Sequence, residues 1–272
     1  MRERTTRLNS PAQQPSPYSL STLMSIGDSS FYRLVREHAP MALSRLEGVP
    51  MDLPHAHGTT IFALHYRDGV VMAGDRRATQ GNLIAQRDLR KLEPADSHSC
   101  IAFAGSVSVG KEMVGLFQVE LAHYEKIEGV ELSFPAKANR VAVMLRGNLE
   151  QAIQGLAVVP VFAGWDKDEG SGRIFTFDIA GSPSEEQEFG GSGSGWHFAK
   201  GALKKLYRPE LERDEAVRIA VQALFDAADD DTATGGPDAS RQLYPTVAVI
   251  SADGYSEVSE EELATHVGTL TL

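Results

Sequence analysis

A glycine followed by two threonines, Gly58-Thr59-Thr60, stands directly before a run with the pattern of a β-hairpin. That run is Ile61-Phe62-Ala63-Leu64-His65-Tyr66, a break at Arg67-Asp68-Gly69, then Val70-Val71-Met72-Ala73-Gly74-Asp75. If the chain is cut between Gly58 and Thr59, Thr59 carries a hydroxyl nucleophile and a free α-amine on one residue. Such an amine titrates near ~8, so it can serve as base for its own hydroxyl at neutral pH. The arrangement also needs a cation to lower the amine and hydroxyl pKa values, and a carboxylate to hold that cation. Asp75, closing the second hairpin strand, and Lys91, in the strand-like run Leu83–Leu92, supply one of each. The apolar strand before Asp75 directs its end inward, which favours a buried role. An oxyanion donor is required too, and Gly105, ending the strand Ser99–Ala104, can present an unobstructed N–H. Each residue also has an ordinary reading. Gly-Thr pairs often begin strands, aspartate and lysine are commonly surface charges, and strand-ending glycines turn the chain.

Other candidates carry less. The loop Gly190-Gly191-Ser192-Gly193-Ser194-Gly195 precedes a helix and could cradle phosphate, but it lacks the Gly-Lys-Ser/Thr ending of a P-loop. Its serines could instead hydrogen-bond an active-site amine. His55, His57 and His65 have neither cysteine partners nor helical spacing, so no metal site is expected. Cys100 lies mid-strand among apolar neighbours, which favours inert packing over nucleophilic chemistry. Asp229-Asp230-Asp231 has the form of an exposed acidic turn, with a cation site or a helix cap as the alternatives.

The elements that must position these groups can be read in order. Residues 1–58 form a distinct block, rich in Ser, Thr, Pro and Gln over 5–30, with one short amphipathic helix expected over 31–47. Composition alone favours a disordered tail, with a removable leader as the alternative. After the hairpin come the polar turn Arg76–Asn82, the strand ending at Gly105, and a helix over Val109–Ile127. A second helix begins near Pro135 and runs to Gly155. Strands follow at Val158–Gly164 and Arg173–Ile179, helices at Trp196–Leu206 and Asp214–Ala228, and a strand at Thr246–Ile250. Strand groups alternating with helix pairs suit two sheets stacked between helix layers.

Composition excludes several function classes. The formal charge is -11, and the chain after residue 58 holds 20 basic and 32 acidic residues, which argues against nucleic-acid binding. A lone cysteine fits a reducing compartment. No apolar segment follows Met1-Arg2-Glu3-Arg4, and no stretch reaches the ~18 apolar residues of a membrane helix. The expectation is a cytoplasmic protein with no membrane association.

Taken together and in order, several motifs resemble the β-subunits of the 20S proteasome of actinobacterial type, members of the N-terminal nucleophile hydrolases. They are Gly58-Thr59-Thr60, Gly74-Asp75-Arg76-Arg77-Ala78-Thr79, Arg90-Lys91, Ala104-Gly105, Gly191-Ser192-Gly193-Ser194-Gly195 and Asp231-Thr232-Ala233-Thr234-Gly235-Gly236. The resemblance spans essentially all of 59–272. It implies an α+β fold, a four-layer αββα sandwich in which two stacked antiparallel sheets lie between helix layers. It also implies a propeptide, 1–58, removed autocatalytically after Gly58, and a mature catalytic domain, 59–272.

The implied chemistry is that of a threonine-type endopeptidase without cofactor. Thr59 is its nucleophile, Asp75 and Lys91 the adjacent ion pair, Ser192 the contact of the terminal amine, and Asp231 the acid that orients the serine network. Thr234 stands where the family usually has serine, and Gly105 matches the oxyanion donor. Thr79, Gly105 and Val107 match backbone positions that pair with a peptide, and Phe103 falls where the main specificity pocket is shaped. Assembly is implied as well: a homo-heptameric β ring, α-subunit heptamers in an α7β7β7α7 barrel, a ring-shaped proteasomal ATPase, and substrates carrying a prokaryotic ubiquitin-like tag. A simpler bacterial peptidase of the same fold, paired with a ring unfoldase, is the nearest alternative. The long leader and the Gly-Ser-Gly-Ser motif disfavour it.

Overall fold

Strand alternation divides the apolar residues between two faces of each sheet, and that division builds the fold. The computed structural model describes residues 58–80 and 83–270. The expected helix over 31–47, the leader, His55, His57 and the last two residues of the polar turn lie outside the described residues.

The hairpin forms as its pattern predicts. Strand β1 (Ile61–Tyr66) pairs antiparallel with β2 (Gly69–Gly74), from Ile61 opposite Gly74 to Tyr66 opposite Gly69. A ribbon of β3 (Ala78–Gln80) and β4 (Leu83–Gln86) follows, with a bulge between Ala78 and Thr79. Next come β5 (Leu92–Asp96), β6 (Ser99–Gly105), α1 (Val107–Glu128) and α2 (Phe134–Gly147). Strands β7 (Val158–Asp166), β8 (Ser171–Phe177), β9 (Pro183–Glu186) and β10 (Phe189–Ser192) lead to α3 (Trp196–Leu206) and α4 (Arg213–Asp230). The chain closes with β11 (Thr246–Ser251), β12 (Gly254–Glu257) and α5 (Glu260–Val267). One five-stranded sheet has the order β10-β1-β2-β11-β12 and the other β5-β6-β7-β8-β9, with every pair antiparallel.

Three apolar clusters result. Ile61, Ala63, Val70 and Met72 of the first sheet pack with Cys100, Ala102, Val161 and Ile174 of the second. The opposite face of the first sheet, including Phe62, Leu64 and Val71, packs with Leu203 of α3 and Val217, Ala220 and Leu224 of α4. The opposite face of the second, with Ile101, Phe103 and Phe162, packs with Met113 and Phe117 of α1 and Val141 and Leu145 of α2. Neighbouring strand residues thus serve different clusters, as a period of two requires. No described helix is long and apolar enough to cross a membrane.

Three expectations are corrected. The second helix stops at Gly147 rather than Gly155. A short turn (Leu149–Gln151) and a π turn (Ala152–Leu156) continue its periodicity, and Gly155 at φ +91° ends it. Part of the glycine-serine loop is strand β10. The strand-like run Leu83–Leu92 is strand only over β4 until Leu92 opens β5, and Lys91 lies in the connection between them. The C-terminal helix α5 has its first turn capped by the Ser259 hydroxyl accepting from Glu262 N–H.

Candidate active site

Strands β1 and β2 end side by side, and this brings the first candidate pair together. Asp75 N–H donates to Thr60 O at 3.0 Å, while Thr60 N–H donates to Asp75 Oδ1 at 2.8 Å. Asp75 is fully enclosed. Its Oδ1 also accepts from Lys91 Nζ at 2.6 Å, and its Oδ2 accepts from the N–H groups of Arg77 and Gly235, each at 2.9 Å. Four donors on one carboxylate hold it in a single orientation and compensate its burial. Lys91 is 1% exposed. Burial lowers its ammonium pKa, outweighing the opposing attraction of Asp75, and the nearby Arg77 pushes the same way. The strand end does point inward, as the apolar run before Asp75 predicts.

Thr59, the residue before Thr60, is 3% exposed, with the chain continuous through Gly58. Its hydroxyl donates to the Gly58 carbonyl oxygen at 2.7 Å. Gly58 N–H in turn donates to Thr79 Oγ1 at 3.2 Å. A Cβ added at Gly58 would fall 1.7 Å from Ala233 Cβ, so the position admits no side chain as it stands.

The Thr59 nitrogen meets a hydroxyl network. Its N–H points to Ser194 Oγ at 3.4 Å, and Ser194 Oγ donates to Asp231 Oδ2 at 2.6 Å. Asp231 Oδ2 also accepts from Thr234 Oγ1 at 2.6 Å, and the Thr234 and Thr60 hydroxyls meet at 2.6 Å. Because a carboxylate only accepts, Thr234 spends its proton on Asp231, and Thr60 must donate to Thr234. Every proton in the chain therefore runs toward Asp231. The carboxylate is placed at the C-terminal end of α4, where its Oδ1 accepts from Ala233 N–H at 3.0 Å.

This corrects the Ser192 assignment. Ser192 lies within β10, opposite Ile61. Continuing that antiparallel register outward puts Gly193 opposite Thr60 and Ser194 opposite Thr59. Gly193, at φ +101°, makes the close approach possible, since a Cβ there would sit 1.9 Å from Thr59 O. The Thr60 side chain and the Gly235 N–H were also missed. Neither has a local sequence signal, because both act across strand ends brought together only by folding.

The remaining candidates are distributed as follows. Gly105 ends β6 at φ +103°, and a Cβ there would lie 2.2 Å from Ala157 O, so glycine is required on two counts. Val107 opens α1 two residues later and is half-buried. Phe103 is 2% exposed and packs among Val109, Met113 and Phe117, with its ring against Gly110. Its ring is thus part of the apolar cluster rather than an open wall. Cys100 is buried in the inter-sheet cluster, where burial pushes its thiol pKa up.

The hydroxyl network leaves no room for an added methyl group. Gly195 has φ -81° and ψ -3°, a backbone that alanine adopts freely. Its Cβ, however, would lie 2.1 Å from Thr60 Oγ1 and 2.4 Å from Thr234 Oγ1. Gly195→Ala is therefore expected to cost about 1–3 kcal/mol through displacement of the hydroxyls. A thermal melt should show a lowered midpoint, and an unchanged midpoint would mean that the network is slack.

Comparisons with known proteins show the family. The sequence profile of the family described as "Proteasome subunit" matches residues 55–238. A proteasome subunit beta of Frankia casuarinae is 56% identical over 245 residues, covering 89% of each chain. Proteasome subunit beta 2 of Thermomonospora curvata is 54% identical over 244 residues, covering 88% of this chain and 86% of the relative. Proteasome subunit beta 1 of Streptomyces avermitilis is 54% identical over 244 residues, with shares of 87% and 86%. With the family profile over more than half its length and identity above one half to relatives matched nearly end to end, this chain belongs to the proteasome subunit family and is similar to its actinobacterial β-subunits.

Proposed function

We propose that this chain is a proteolytic subunit of a 20S proteasome core, a threonine-type endopeptidase made as a precursor and activated by cleavage at Gly58–Thr59. One observation carries the reading. The Thr59 hydroxyl lies 2.7 Å from the carbonyl oxygen of the bond to be cut, while the Thr59 nitrogen already faces the Ser194–Asp231 pair. The three apolar clusters support the four-layer αββα stacking of the N-terminal nucleophile hydrolase fold.

In this reading residues 1–58 are a propeptide and 59–272 the mature domain. During activation the Thr59 oxygen attacks the Gly58 carbonyl carbon, its proton passes to the departing nitrogen as the C–N bond breaks, and an ester with a free Thr59 amine replaces the amide. Water then hydrolyses the ester, restoring the Thr59 hydroxyl and releasing the leader with a carboxylate on Gly58. Before cleavage that nitrogen is an amide and cannot act as a base, so the precursor is latent. Afterwards the amine takes the proton of the Thr59 hydroxyl as the oxygen attacks a substrate carbonyl. Ser194 and Asp231 hold the amine in place, with Thr234 fixing Asp231 from its other side. Lys91, held by Asp75, contributes positive charge that lowers the local pKa.

The Gly105 N–H stabilises the oxyanion, and Thr79, Gly105 and Val107 align the peptide backbone. The leaving amine departs with the transferred proton, and water hydrolyses the acyl-enzyme. Phe103 closes the floor of the specificity pocket from beneath. Assembly in this reading is what the resemblance implies: heptameric β rings with α-subunit rings, in the cytoplasm, fed by a ring ATPase with tagged proteins.

Intact mass of the purified wild-type assembly tests the reading. The chain should begin at Thr59, and a hydroxyl-directed covalent inhibitor should add its mass to the peptide that starts there. A full-length chain that hydrolyses peptides would refute it.

A further inference from the structure

Far along α4 from Asp231, the first turn of that helix meets the last turn of α5. Asp214 Oδ1, Glu262 Oε1 and a ring nitrogen of His266 come within 4.8 Å of one another, the one such group among the described residues. His266 is enclosed, its side chain only 8% exposed, and its Nε2 has no hydrogen-bond partner. That nitrogen faces Asp214 Oδ1 at 3.4 Å and Glu262 Oε1 at 3.9 Å. A buried ring nitrogen left in this way has lost water without replacing it. Two carboxylates aimed at it make the common focus of the three groups a place for a cation.

We propose that Asp214, Glu262 and His266 form a binding site for a divalent metal ion of the zinc class. The donor set, one imidazole and two carboxylates, is one that zinc accepts. Bonds of about 2.0–2.2 Å to such donors put neighbouring tetrahedral ligands roughly 3.4 Å apart. The His266–Asp214 separation already matches that spacing, while Glu262, 3.9 Å from the ring nitrogen and within 4.8 Å of the Asp214 oxygen, has to move in toward the ion. Glu262 and His266 are an i,i+4 pair on one face of α5, so the helix itself sets their spacing. Asp214 is largely exposed, which leaves the outer side open for water as a fourth ligand.

Arg213 does not block the site. It grips both Glu262 oxygens and holds that carboxyl below the usual carboxylate range, so Glu262 is ionised. Each oxygen keeps a second lone pair for a metal, and Arg213 then acts as an outer partner that orients the ligand. Two carboxylates and one guanidinium leave a net negative charge for the ion to neutralise. A bound ion would tie the C-terminal helix to α4, the helix whose other end carries Asp231. This departs from the expectation of no metal, because the third ligand comes from a helix distant in sequence and no local motif announces it. The site does not depend on the peptidase reading.

Titration of the metal-stripped full chain, in its native assembly, with zinc sulfate tests the proposal by calorimetry and by thermal melting. Wild type is expected to bind one more equivalent of Zn2+ per chain than His266→Gln. Asp214→Asn, an exposed substitution that should leave folding intact, is expected to weaken that equivalent at least about tenfold, the lower end of what second-shell losses already cost. Zinc should raise the melting midpoint of wild type and not of the variants. Equal stoichiometry and affinity in wild type and Asp214→Asn would overturn the site, whatever the folding of His266→Gln.

Discussion

Replacing Thr59 by alanine is expected to leave residues 1–58 attached and to lower peptide hydrolysis by a factor on the order of 10^5 to 10^6, the scale on which removal of a covalent nucleophile acts. The geometry separates this from a folding defect. The Thr59 hydroxyl makes its hydrogen bond to Gly58 O, the carbonyl of the bond it is proposed to attack, and takes no part in holding Asp75 or Asp231. Its loss therefore takes chemistry away while the Asp75–Lys91 pair and the Asp231 hydroxyl network stay intact. The melting midpoint should move by no more than a few degrees. Thr59→Ser keeps the hydroxyl and should still shed the leader, more slowly, because without the methyl group χ1 is free to leave the attacking rotamer. Intact mass and peptide turnover on the two variants check both statements. A processed or active Thr59→Ala chain would remove Thr59 from the mechanism.

Much of the fold follows from period-two alternation, and the places where the pattern fails have identifiable causes. The hairpin β1–β2 is legible because Ile61–Tyr66, apart from the partly buried His65, and Val70–Ala73 are apolar, so both faces are buried. Strand β10 is not legible, because Gly190 and Gly191 read as punctuation. Glycine is needed there for contact: a Cβ at Gly190 would lie 2.4 Å from Glu186 Cγ, and one at Gly191 2.5 Å from Trp196. Helix α5 hides for a different reason, since eight residues offer only Leu263 and Val267 to the core.

The site divides along the same line. Lys91 lies in the connection between β4 and β5 and stands out only as a nearby cation and through the resemblance. Asp75 can be found from sequence, since a charge at the end of an apolar strand has few places to go. The choice between Ser192 and Ser194 cannot, because it depends on which residue of β10 faces Thr59. That is a matter of register between segments more than a hundred residues apart.

The Asp75–Lys91 pair should produce the largest stability effect in the molecule. Lys91→Met leaves the Asp75 carboxylate buried with its three backbone donors and no counter-charge. Asp75→Asn leaves the Lys91 ammonium without its anion, and either amide orientation turns an NH2 toward two donors. One orientation faces Lys91 Nζ and Thr60 N–H, the other Arg77 and Gly235 N–H. Breaking a buried pair by removing one partner costs about 3–5 kcal/mol. In a domain of this size that lowers the melting midpoint on the order of 10 °C. The double variant should lose less than the sum of the two, since neither charge is then stranded, and a double-mutant cycle on melting midpoints reads this directly.

The pH dependence has a definite sign. Burial lowers the folded-state pKa of Lys91 below the ordinary lysine value of about 10.4, so between the two the unfolded chain binds the proton that the folded chain sheds. That group's contribution to stability therefore grows as pH rises through the window, and Lys91→Met should flatten the rise. Self-cleavage provides the second readout. If the pair serves only as a structural brace, the double variant should recover processing along with stability. If Lys91 charge assists the Thr59 nitrogen and hydroxyl, as proposed, the double variant should melt near the better single variant and still retain its leader.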